Sequence, residues 1–395
     1  MTPADHLSAG ALRTVRPAYG SGSLADLLPS VSALLGVPGA TDVLGLGRHL
    51  DGVRRVGVLL VDGLGAYQLP VAAPYAPVLA DLAAGKGGFA TTLTTGFPST
   101  TPVSLVTLGT GTSPGEHGIL GFTTRRPDGR LVNHIKWRDD PDPRAWQPVP
   151  TRFETAAAAG VAVTAVTRPA FEGTGLTVAV HRGAAFVGAS TGAEVAERML
   201  AALGAGDGPA LVYGYHPDLD HFGHQNGVDS AEWREAAAGV DALLDRLVHG
   251  LPPESALLVI ADHGQLNVPA AGRIDLAERP DLAAGVVGVA GEPRVRYLYA
   301  ADGATADVVA AWSAVFGESA TVLTREQAID EGWFGPVPEA HRGRIGDVAV
   351  ICHGRAVALA GGWEPPTVGE LVAYHGSATA AEMTVPLLIS VGGSG

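Results

Sequence analysis

The stretch VGVLLVDG at residues 56–63 decides the fold class, because an unbroken apolar run ends there in an aspartate and a glycine. A strand buried on both faces of a sheet has this pattern, since neither face presents alternating polar residues to water. Similar short runs recur along the chain, as VAVTAV at 161–166, ALVYGY at 210–215 and ALLVIA at 256–261. Together these runs predict a mainly parallel central sheet.

Helical patterns lie between the predicted strands. In SAEWREAAAGVDALLDRL, residues 230–247, apolar residues recur at intervals of three and four, as on an amphipathic helix. Alternating strands and helices are typical of an α/β protein with a doubly wound, mainly parallel sheet flanked by helices. We therefore expect one domain over residues 1–395. Runs such as VRYLYA (295–300) and DVAVICHG (347–354) predict a small α/β subdomain inserted at about 268–365.

Composition and charge limit the classes of partner. A chain of 395 residues with 46% hydrophobic residues has ample material for a core. The formal net charge of −14 disfavours a long nucleic acid, which needs a broad basic surface, but it is compatible with a nucleotide or another small anion. The single cysteine, Cys352, excludes an internal disulfide and a multi-cysteine metal site. With no leader-like pattern and no long apolar run, we expect a cytoplasmic protein without a membrane segment.

Acidic and histidine residues follow three of the predicted strands. Asp62 ends the first run, and Asp262 with His263 ends the last. The segment DLDHFGH at 218–224 follows ALVYGY, and its Asp220 and His224 are four residues apart, which lets one turn of helix direct both at one ion. In open α/β sheets the carboxyl ends of strands face the ligand crevice, so we expect these groups to converge. Carboxylate and imidazole are ligands of zinc and related divalent ions.

The segment GFPSTTPVSLVTLGTG at 96–111 contains the candidate nucleophile. Thr101 precedes Pro102, which predicts an N-cap followed by the first residue of a helix. A helix N-terminus offers unpaired N–H groups to a phosphate, and a metal ion beside the hydroxyl would prepare it to attack phosphorus. Thr100 and Ser99 remain alternatives to Thr101.

Five segments, in order, resemble the metal-binding motifs of the alkaline phosphatase superfamily. They are VLLVDGLG, FPSTTPVSLVTLGTGTSPGEHGILGF, YHPDLDHFGHQNG, VIADHGQLNV and YHGSATAAEMTVPLL, and they span residues of about 56 to 390. Within the superfamily they most resemble the nucleotide pyrophosphatase/phosphodiesterase branch. The resemblance implies an alkaline phosphatase-like fold whose domain is catalytic.

The resemblance also implies two divalent ions, usually zinc, although manganese or iron would suit the same ligands. It assigns one ion to Asp220, His224 and His375. It assigns the other to Asp62, Asp262 and His263, where the ion also touches Thr101. Thr101 would attack phosphorus, and water would release the phosphothreonine-type intermediate.

Departures from the family pattern concern the substrate. Phosphodiesterase relatives often carry an asparagine three residues after the nucleophile, and here Ser104 takes its place as the expected substrate contact. The arginine and magnesium ligands of true alkaline phosphatases have no visible counterpart. We therefore expect a metal-dependent phosphodiesterase or nucleotide pyrophosphatase that acts on a small phosphoester or nucleotide. The alternatives are a phosphonate C–P hydrolase, a phosphomonoesterase and a non-catalytic metal-binding relative.

Overall fold

The computed structural model describes residues 7–8 and 10–392. Its strands are β1 (Arg55–Val61), β2 (Gly88–Thr94), β3 (Thr123–Arg125), β4 (Leu131–Asn133), β5 (Ala162–Thr167), β6 (Ala185–Gly188), β7 (Ala210–His216), β8 (Ser255–Ile260), β9 (Leu266–Asn267), β10 (Arg273–Asp275), β11 (Val286–Glu292), β12 (Val295–Ala300), β13 (Ala320–Thr324), β14 (Val348–Cys352), β15 (Val357–Leu359), β16 (Ala373–Tyr374) and β17 (Thr384–Val391). Its helices are α1 (Leu27–Leu34), α2 (Leu69–Ala72), α3 (Pro77–Ala83), α4 (Thr101–Thr110), α5 (Pro114–His117), α6 (Pro143–Trp146), α7 (Arg152–Ala158), α8 (Gly175–His181), α9 (Gly192–Leu203), α10 (Asp218–Asn226), α11 (Ala231–Gly250), α12 (Pro280–Ala283), α13 (Thr305–Phe316), α14 (Arg325–Asp330), α15 (Glu339–Arg342) and α16 (Ala380–Met383).

A seven-stranded sheet forms the centre of the molecule, in the order β2-β17-β8-β1-β7-β5-β6. The strands from β8 to β6 are parallel to one another, and β17 runs antiparallel to β8 and β2. Helix α9 packs against β7 and β5 and also against α11, while α4, α7 and α8 form a second group of helices. The predicted mainly parallel sheet flanked by helices is confirmed.

Helix α11 shows why the apolar pattern predicted the fold well. Its buried side chains are those of the three-and-four stripe: Trp233, Ala236, Ala237, Val240, Leu243, Leu244 and Leu247. The helix begins one residue after the predicted start because Ser230 is the N-cap, whose hydroxyl accepts a hydrogen bond from the Trp233 N–H. Within residues 7–8 and 10–392, no helix has both the length and the apolar character that crossing a bilayer requires.

The strand register brings three chain segments out of the sheet at one edge. β1 lies between β7 and β8, with Val61 opposite His216 and Leu60 opposite Ile260. Because the three strands are parallel and end at the same level, the residues that follow them meet above β1. Asp62 follows directly, and its N–H donates to the His216 carbonyl at 2.9 Å.

The segment predicted as an inserted subdomain contains an antiparallel sheet of its own, in the order β11-β12-β14-β13. Helix α13 packs against β13 and β14 of this sheet. Arg294, in the turn between β11 and β12, joins the sheet to the core through a buried pair with Glu382 of α16. Its Nε and Nη2 donate to the two Glu382 carboxylate oxygens at 2.9 and 2.7 Å, and both side chains are fully buried.

We predict that Arg294→Met lowers the free energy of unfolding by about 3–5 kcal/mol, because Glu382 is then a buried carboxylate without its cation. Urea unfolding followed by circular dichroism measures the change. Arg279→Met is the matched control, since Arg279 pairs with Asp281 at 2.6 Å in an exposed position and such pairs contribute little. Equal effects of the two substitutions would contradict a structural role for the buried pair.

Candidate metal centre and nucleophile

The first group of candidate ligands lies at the ends of β1 and β8. Asp62, Asp262 and His263 are all buried. The His263 Nε2 atom lies 3.2 Å from Asp262 Oδ2 and 3.6 Å from Asp62 Oδ1. The structure therefore brings together these three predicted ligands from two neighbouring strands.

Hydrogen bonds hold both carboxylates with one oxygen directed at this group. Asp262 Oδ1 accepts from the N–H groups of Gly63 and His263 at 3.1 and 3.0 Å, and Asp62 Oδ2 accepts from the Tyr215 hydroxyl. The other oxygens, Asp62 Oδ1 and Asp262 Oδ2, are buried without a hydrogen-bond partner among the described residues. Two unpaired carboxylate oxygens facing one imidazole nitrogen fit a bound divalent cation.

The second group consists of Asp220 and His224 on α10 and His375 after β16. The two histidine Nε2 atoms lie 3.2 Å apart, at 3.4 and 3.8 Å from Asp220 Oδ1. The Nδ1 atoms lie 2.8 Å from the Ala373 carbonyl and 3.0 Å from the Ser99 carbonyl. A carbonyl only accepts, so each Nδ1 carries the proton and each Nε2 presents a lone pair to the other. The two Nε2 lone pairs could instead bind one cation, which would remove the repulsion between them.

His263 connects the two groups. Its ring stacks on that of His375, with the centroids 3.5 Å apart. Candidate ligand atoms of Asp220, His263 and His375 lie within 4.8 Å of one another, and so do those of Asp62, Asp262 and His263. The two candidate sites are therefore adjacent, as the predicted pair of ions requires.

The charges of the groups favour a bound cation. Burial raises the pKa of Asp62 well above its ordinary value, and the carboxylates of Asp262 and Asp220 raise it further. Burial also lowers the pKa of His375 well below its ordinary value, with further contributions from His263 and His224. Burial thus opposes the charged form of the carboxyl and of the imidazole alike, and a bound cation would offset the negative charge of the carboxylates.

Helix α4 places Thr101 next to His263. Its hydroxyl lies 3.1 Å from the His263 Nε2 atom. The prediction that Thr101 is the N-cap is wrong by one residue. Thr100 is the N-cap, with an extended backbone (φ −130°, ψ 148°), so that Thr101 is the first helical residue and Pro102 the second. The alternatives Ser99 and Thr100 are fully buried, and the Ser99 hydroxyl donates to the Ser377 carbonyl at 2.6 Å.

Ser104, the predicted substrate contact, lies one turn further along α4. It is fully buried, and its hydroxyl lies 2.6 Å from that of Thr95. Thr95 in turn donates to the Asp262 carbonyl. The structure thus places the Ser104 hydroxyl behind the candidate ligands, and its contact with a substrate stays a prediction.

Sequence reasoning missed the groups that orient the ligands. Gln265 donates from Nε2 to the Asp220 backbone carbonyl at 3.0 Å and also to its carboxylate, and Tyr215 holds Asp62. Tyr215 lies within an apolar strand pattern, so its residue type carried no sign of this contact. The proximity of Gln265 to Asp262 and His263 in the sequence was the one available signal. Asp218, on the same helix as Asp220, pairs with Arg168 at 2.8 Å outside the cluster.

Two cavities open beside the candidate ligands. The first, here called the inner cavity, has a volume of about 370 Å³, and its lining includes Asp62, Thr101, Asp220, His181 and Tyr213. The second, the cap cavity, has a volume of about 420 Å³ and lies between His375 and the β11–β12 region. Of the three nucleophile candidates, Thr101 lines the inner cavity, whereas Ser99 and Thr100 line neither.

The model of the type I phosphodiesterase/nucleotide pyrophosphatase family matches residues 56–378 of the chain. The chain belongs to this family. Membership confirms the resemblance to the alkaline phosphatase superfamily and places the protein among phosphoric ester hydrolases. The family is metal-dependent, and the structure contains two groups of aspartate and histidine residues that could hold a metal ion. Among proteins with curated descriptions, none matches this chain in sequence.

Solved structures share the fold over most of both chains. The murine ectonucleotide pyrophosphatase/phosphodiesterase 5, as an inactive variant in complex with AMP, is 18% identical with a TM-score of 0.68, covering 86% of this chain and 88% of its own. Phosphonoacetate hydrolase from Sinorhizobium meliloti 1021, in complex with phosphonoacetate, is 20% identical with a TM-score of 0.65, covering 86% and 90%. At sequence identities of 18% and 20%, these similarities show that the chains share a fold.

We predict opposite effects of Asp262→Asn with and without metal. In chelator-treated protein the substitution raises the melting temperature by about 1–3 °C, because it removes a charge from a crowded buried cluster. The amide oxygen still accepts from Gly63 and His263. In zinc-loaded protein it lowers both the melting temperature and the number of bound ions, since a ligand charge is lost.

Thermal unfolding and elemental analysis, each with and without zinc, measure these effects. Asp218→Asn is the matched control, because Asp218 lies outside the cluster and is half-exposed. An Asp262→Asn protein that binds as much zinc as the wild type would remove Asp262 from the ligand set.

Proposed function

We propose that this chain hydrolyses small phosphodiesters, as a phosphodiesterase or nucleotide pyrophosphatase, with Thr101 as its nucleophile. The observation that carries the proposal is the position of the Thr101 hydroxyl, 3.1 Å from His263 Nε2 and at the N-terminus of a ten-residue helix. A hydroxyl there is beside both candidate ligand groups and opens to the inner cavity. Family membership supports the same reaction class.

The residues around Thr101 have different roles in the proposed reaction. The free N–H groups and positive dipole at the start of α4 hold the anionic phosphoryl group beside Thr101. A bond forms between Thr101 Oγ and phosphorus while the bond to the leaving oxygen breaks, and the hydroxyl proton of Thr101 leaves with the departing alcohol. Water then cleaves the Oγ–phosphorus bond, giving one proton back to Oγ and its oxygen to the phosphate. The carbonyls of Ala373 and Ser99 hold His224 and His375 in the tautomer that presents Nε2 to the site.

We propose zinc for both sites because buried imidazole and carboxylate form the ligand set that zinc favours. Asp220, His224 and His375 would hold one ion. Asp62, Asp262 and His263 would hold the other, next to Thr101. When bound, such ions supply Lewis-acid stabilisation of charge on the attacking and leaving oxygens.

The walls of the inner cavity favour a diester over a monoester. In the part of the chain that the structure describes, no lysine or arginine lines this cavity. Arg296, which lines the cap cavity, is occupied by Glu364 and by the Ala358 carbonyl, at 2.5 and 2.6 Å. Lys136 lines the cap cavity and is exposed. In the inner cavity a monoester dianion would bring a second negative charge with no lysine or arginine to meet it, whereas a diester carries one.

We predict that Thr101→Ala retains bound zinc and loses at least about a thousandfold in kcat, because the nucleophile is absent while the ligands remain. Steady-state hydrolysis of bis-p-nitrophenyl phosphate and elemental analysis provide the two measurements. Thr100→Val is the matched control, since Thr100 is the neighbouring buried threonine and lines neither cavity. Unchanged turnover of Thr101→Ala with zinc retained would remove Thr101 as the nucleophile.

We predict that the purified protein cleaves bis-p-nitrophenyl phosphate at least about tenfold faster than p-nitrophenyl phosphate, because the additional charge of the monoester is unmatched. Chelation should abolish both activities, and zinc or manganese should restore them. A faster monoester reaction would contradict the diester assignment. Cleavage of phosphonoacetate, with neither ester cleaved, would support the phosphonate C–P hydrolase instead.

A further inference from the structure

Three buried histidines and a buried arginine lie where the inserted subdomain meets the core, outside the candidate metal centre. They are His117, His134, His341 and Arg344, and each is at most 8% exposed. His341 and Arg344 belong to residues 334–344 of the subdomain, here called the latch segment. His117 belongs to residues 113–121 of the core, here called the core turn. The proposed chemistry uses none of these four side chains.

The latch segment docks on the core through close polar contacts. Arg344 Nη1 donates to the carbonyls of Gly118 and Trp146 at 2.7 and 3.0 Å, and its guanidinium carbon lies 3.6 Å from the centre of the Trp146 ring. His341 Nδ1 donates to the Gly115 carbonyl at 2.8 Å. A Cβ atom built on Gly118 would lie only 2.4 Å from Arg344 Nη1, so the two surfaces meet without space between them.

The hydrogen bonds of His117 and His134 require neutral rings. His117 Nδ1 accepts from the Ile119 N–H at 3.1 Å, so its Nε2 carries the proton and donates to Thr107 of α4 at 3.0 Å. His134 Nε2 accepts from the Trp146 indole N–H at 3.1 Å. A second proton on either ring would set one N–H against another and break the accepted hydrogen bond.

A second proton would also add positive charge beside Arg344. The titratable groups that act on His117 are His341, Arg344 and His134, all of which are cationic when charged. Arg344 also acts on His134 and on His341. Burial lowers the pKa of Arg344 to about 10, and within the described structure no carboxylate offsets this effect. The cluster therefore repels each proton that it takes up.

Acid weakens the docking for this reason. Burial, together with the neighbouring cationic groups, lowers the pKa of His117 well below its ordinary value, and burial lowers that of His134 to about 4. A histidine released from the cluster recovers its ordinary pKa of about 6.5 and binds protons more readily than the docked one. The contribution to stability is therefore complete above about pH 6.5 and is lost as the pH falls toward about 4.

We propose that the latch segment and the core turn form an acid-sensitive latch, in which protonation of His117 and His134 releases the latch segment before the molecule unfolds. The consequences reach both sides of the contact. Thr107, which His117 holds, lies on helix α4. The latch segment belongs to the same subdomain as β11 and β12, whose residues line the cap cavity. The inference does not depend on the proposed reaction.

Hydrogen exchange followed by mass spectrometry tests the latch on the full-length protein at about pH 7 and about pH 5. After correction for the intrinsic exchange rate at each pH, we expect exchange in residues 334–344 and 113–121 to accelerate at least about tenfold at the lower pH. One histidine with the stated change in pKa suffices for that factor. Exchange in helix α11 should stay unchanged, because this helix packs away from the latch.

Two outcomes of this measurement would overturn the inference. The first is unchanged exchange in the latch segment, and the second is an equal acceleration in α11, which would show global unfolding. The measurement is made on zinc-loaded and on chelator-treated protein. An acceleration confined to the zinc-loaded protein would trace the effect to loss of metal, and it too would count against the latch.

A double variant, His117→Asn with His134→Gln, removes the two protonation sites. The asparagine oxygen can accept in place of His117 Nδ1, and the glutamine oxygen can accept in place of His134 Nε2. We expect the variant to keep its exchange pattern at about pH 7 and to lose the acceleration at about pH 5. His249→Gln is the matched control, since His249 is an exposed histidine at the end of α11, and it should behave as the wild type.

A measurement on the wild type decides the matter if the double variant does not fold. Nitrogen NMR of labelled histidines reports the tautomer and the protonation of each ring as the pH is lowered. We expect His117 and His134 to remain neutral while the latch segment is protected from exchange. Either ring found protonated in molecules whose latch segment is still protected would overturn the inference.

Discussion

Repulsion among carboxylates at one edge of the central sheet is the constraint around which this molecule is organised. Asp62 and Asp262 are buried side by side with Asp220 close by, and their mutual repulsion raises the pKa of Asp62 beyond what burial does. A fold tolerates such crowding when cations offset it. The register of β1 with β7 and β8 brings the ends of these strands to one level, so the carboxylates that follow them stay close together.

The groups around the ligands act by orientation. Backbone N–H groups and the Tyr215 hydroxyl occupy one oxygen of each buried carboxylate, so that the other oxygen faces the site. Backbone carbonyls fix the tautomers of His224 and His375 in the same way. The β11-β12-β14-β13 sheet is joined to the core through Arg294 and Glu382, and residues of β11 and β12 line the cap cavity beside His375. The candidate metal site thus lies at one set of strand ends, and two cavities with different linings open beside it.

Sequence patterns predicted several strands and the position of two candidate ligands, because hydrophobic periodicity and residue type depend on local burial and backbone geometry. The apolar runs predicted β1, β5, β7 and β8 to within one residue, since burial on both faces excludes polar residues. Asp220 and His224 were expected on one turn, and they lie on helix α10. The N-cap was misplaced by one residue because Thr100 and Thr101 are the same residue type, and the extended backbone at Thr100 decides between them.

By itself, the sequence determined four strands of the central sheet, the apolar stripe of α11 and the residue types suited to metal binding, because periodicity and residue type are local properties. Only the tertiary structure decided which of these residues meet. The backbone carbonyls that hold His224 and His375 leave no pattern of residue types in the sequence. His181 and Tyr213 are 32 positions apart by their numbers, and they share a cavity because α8 ends beside β7. Contacts between residues distant in the chain depend on packing, and a single sequence does not display it.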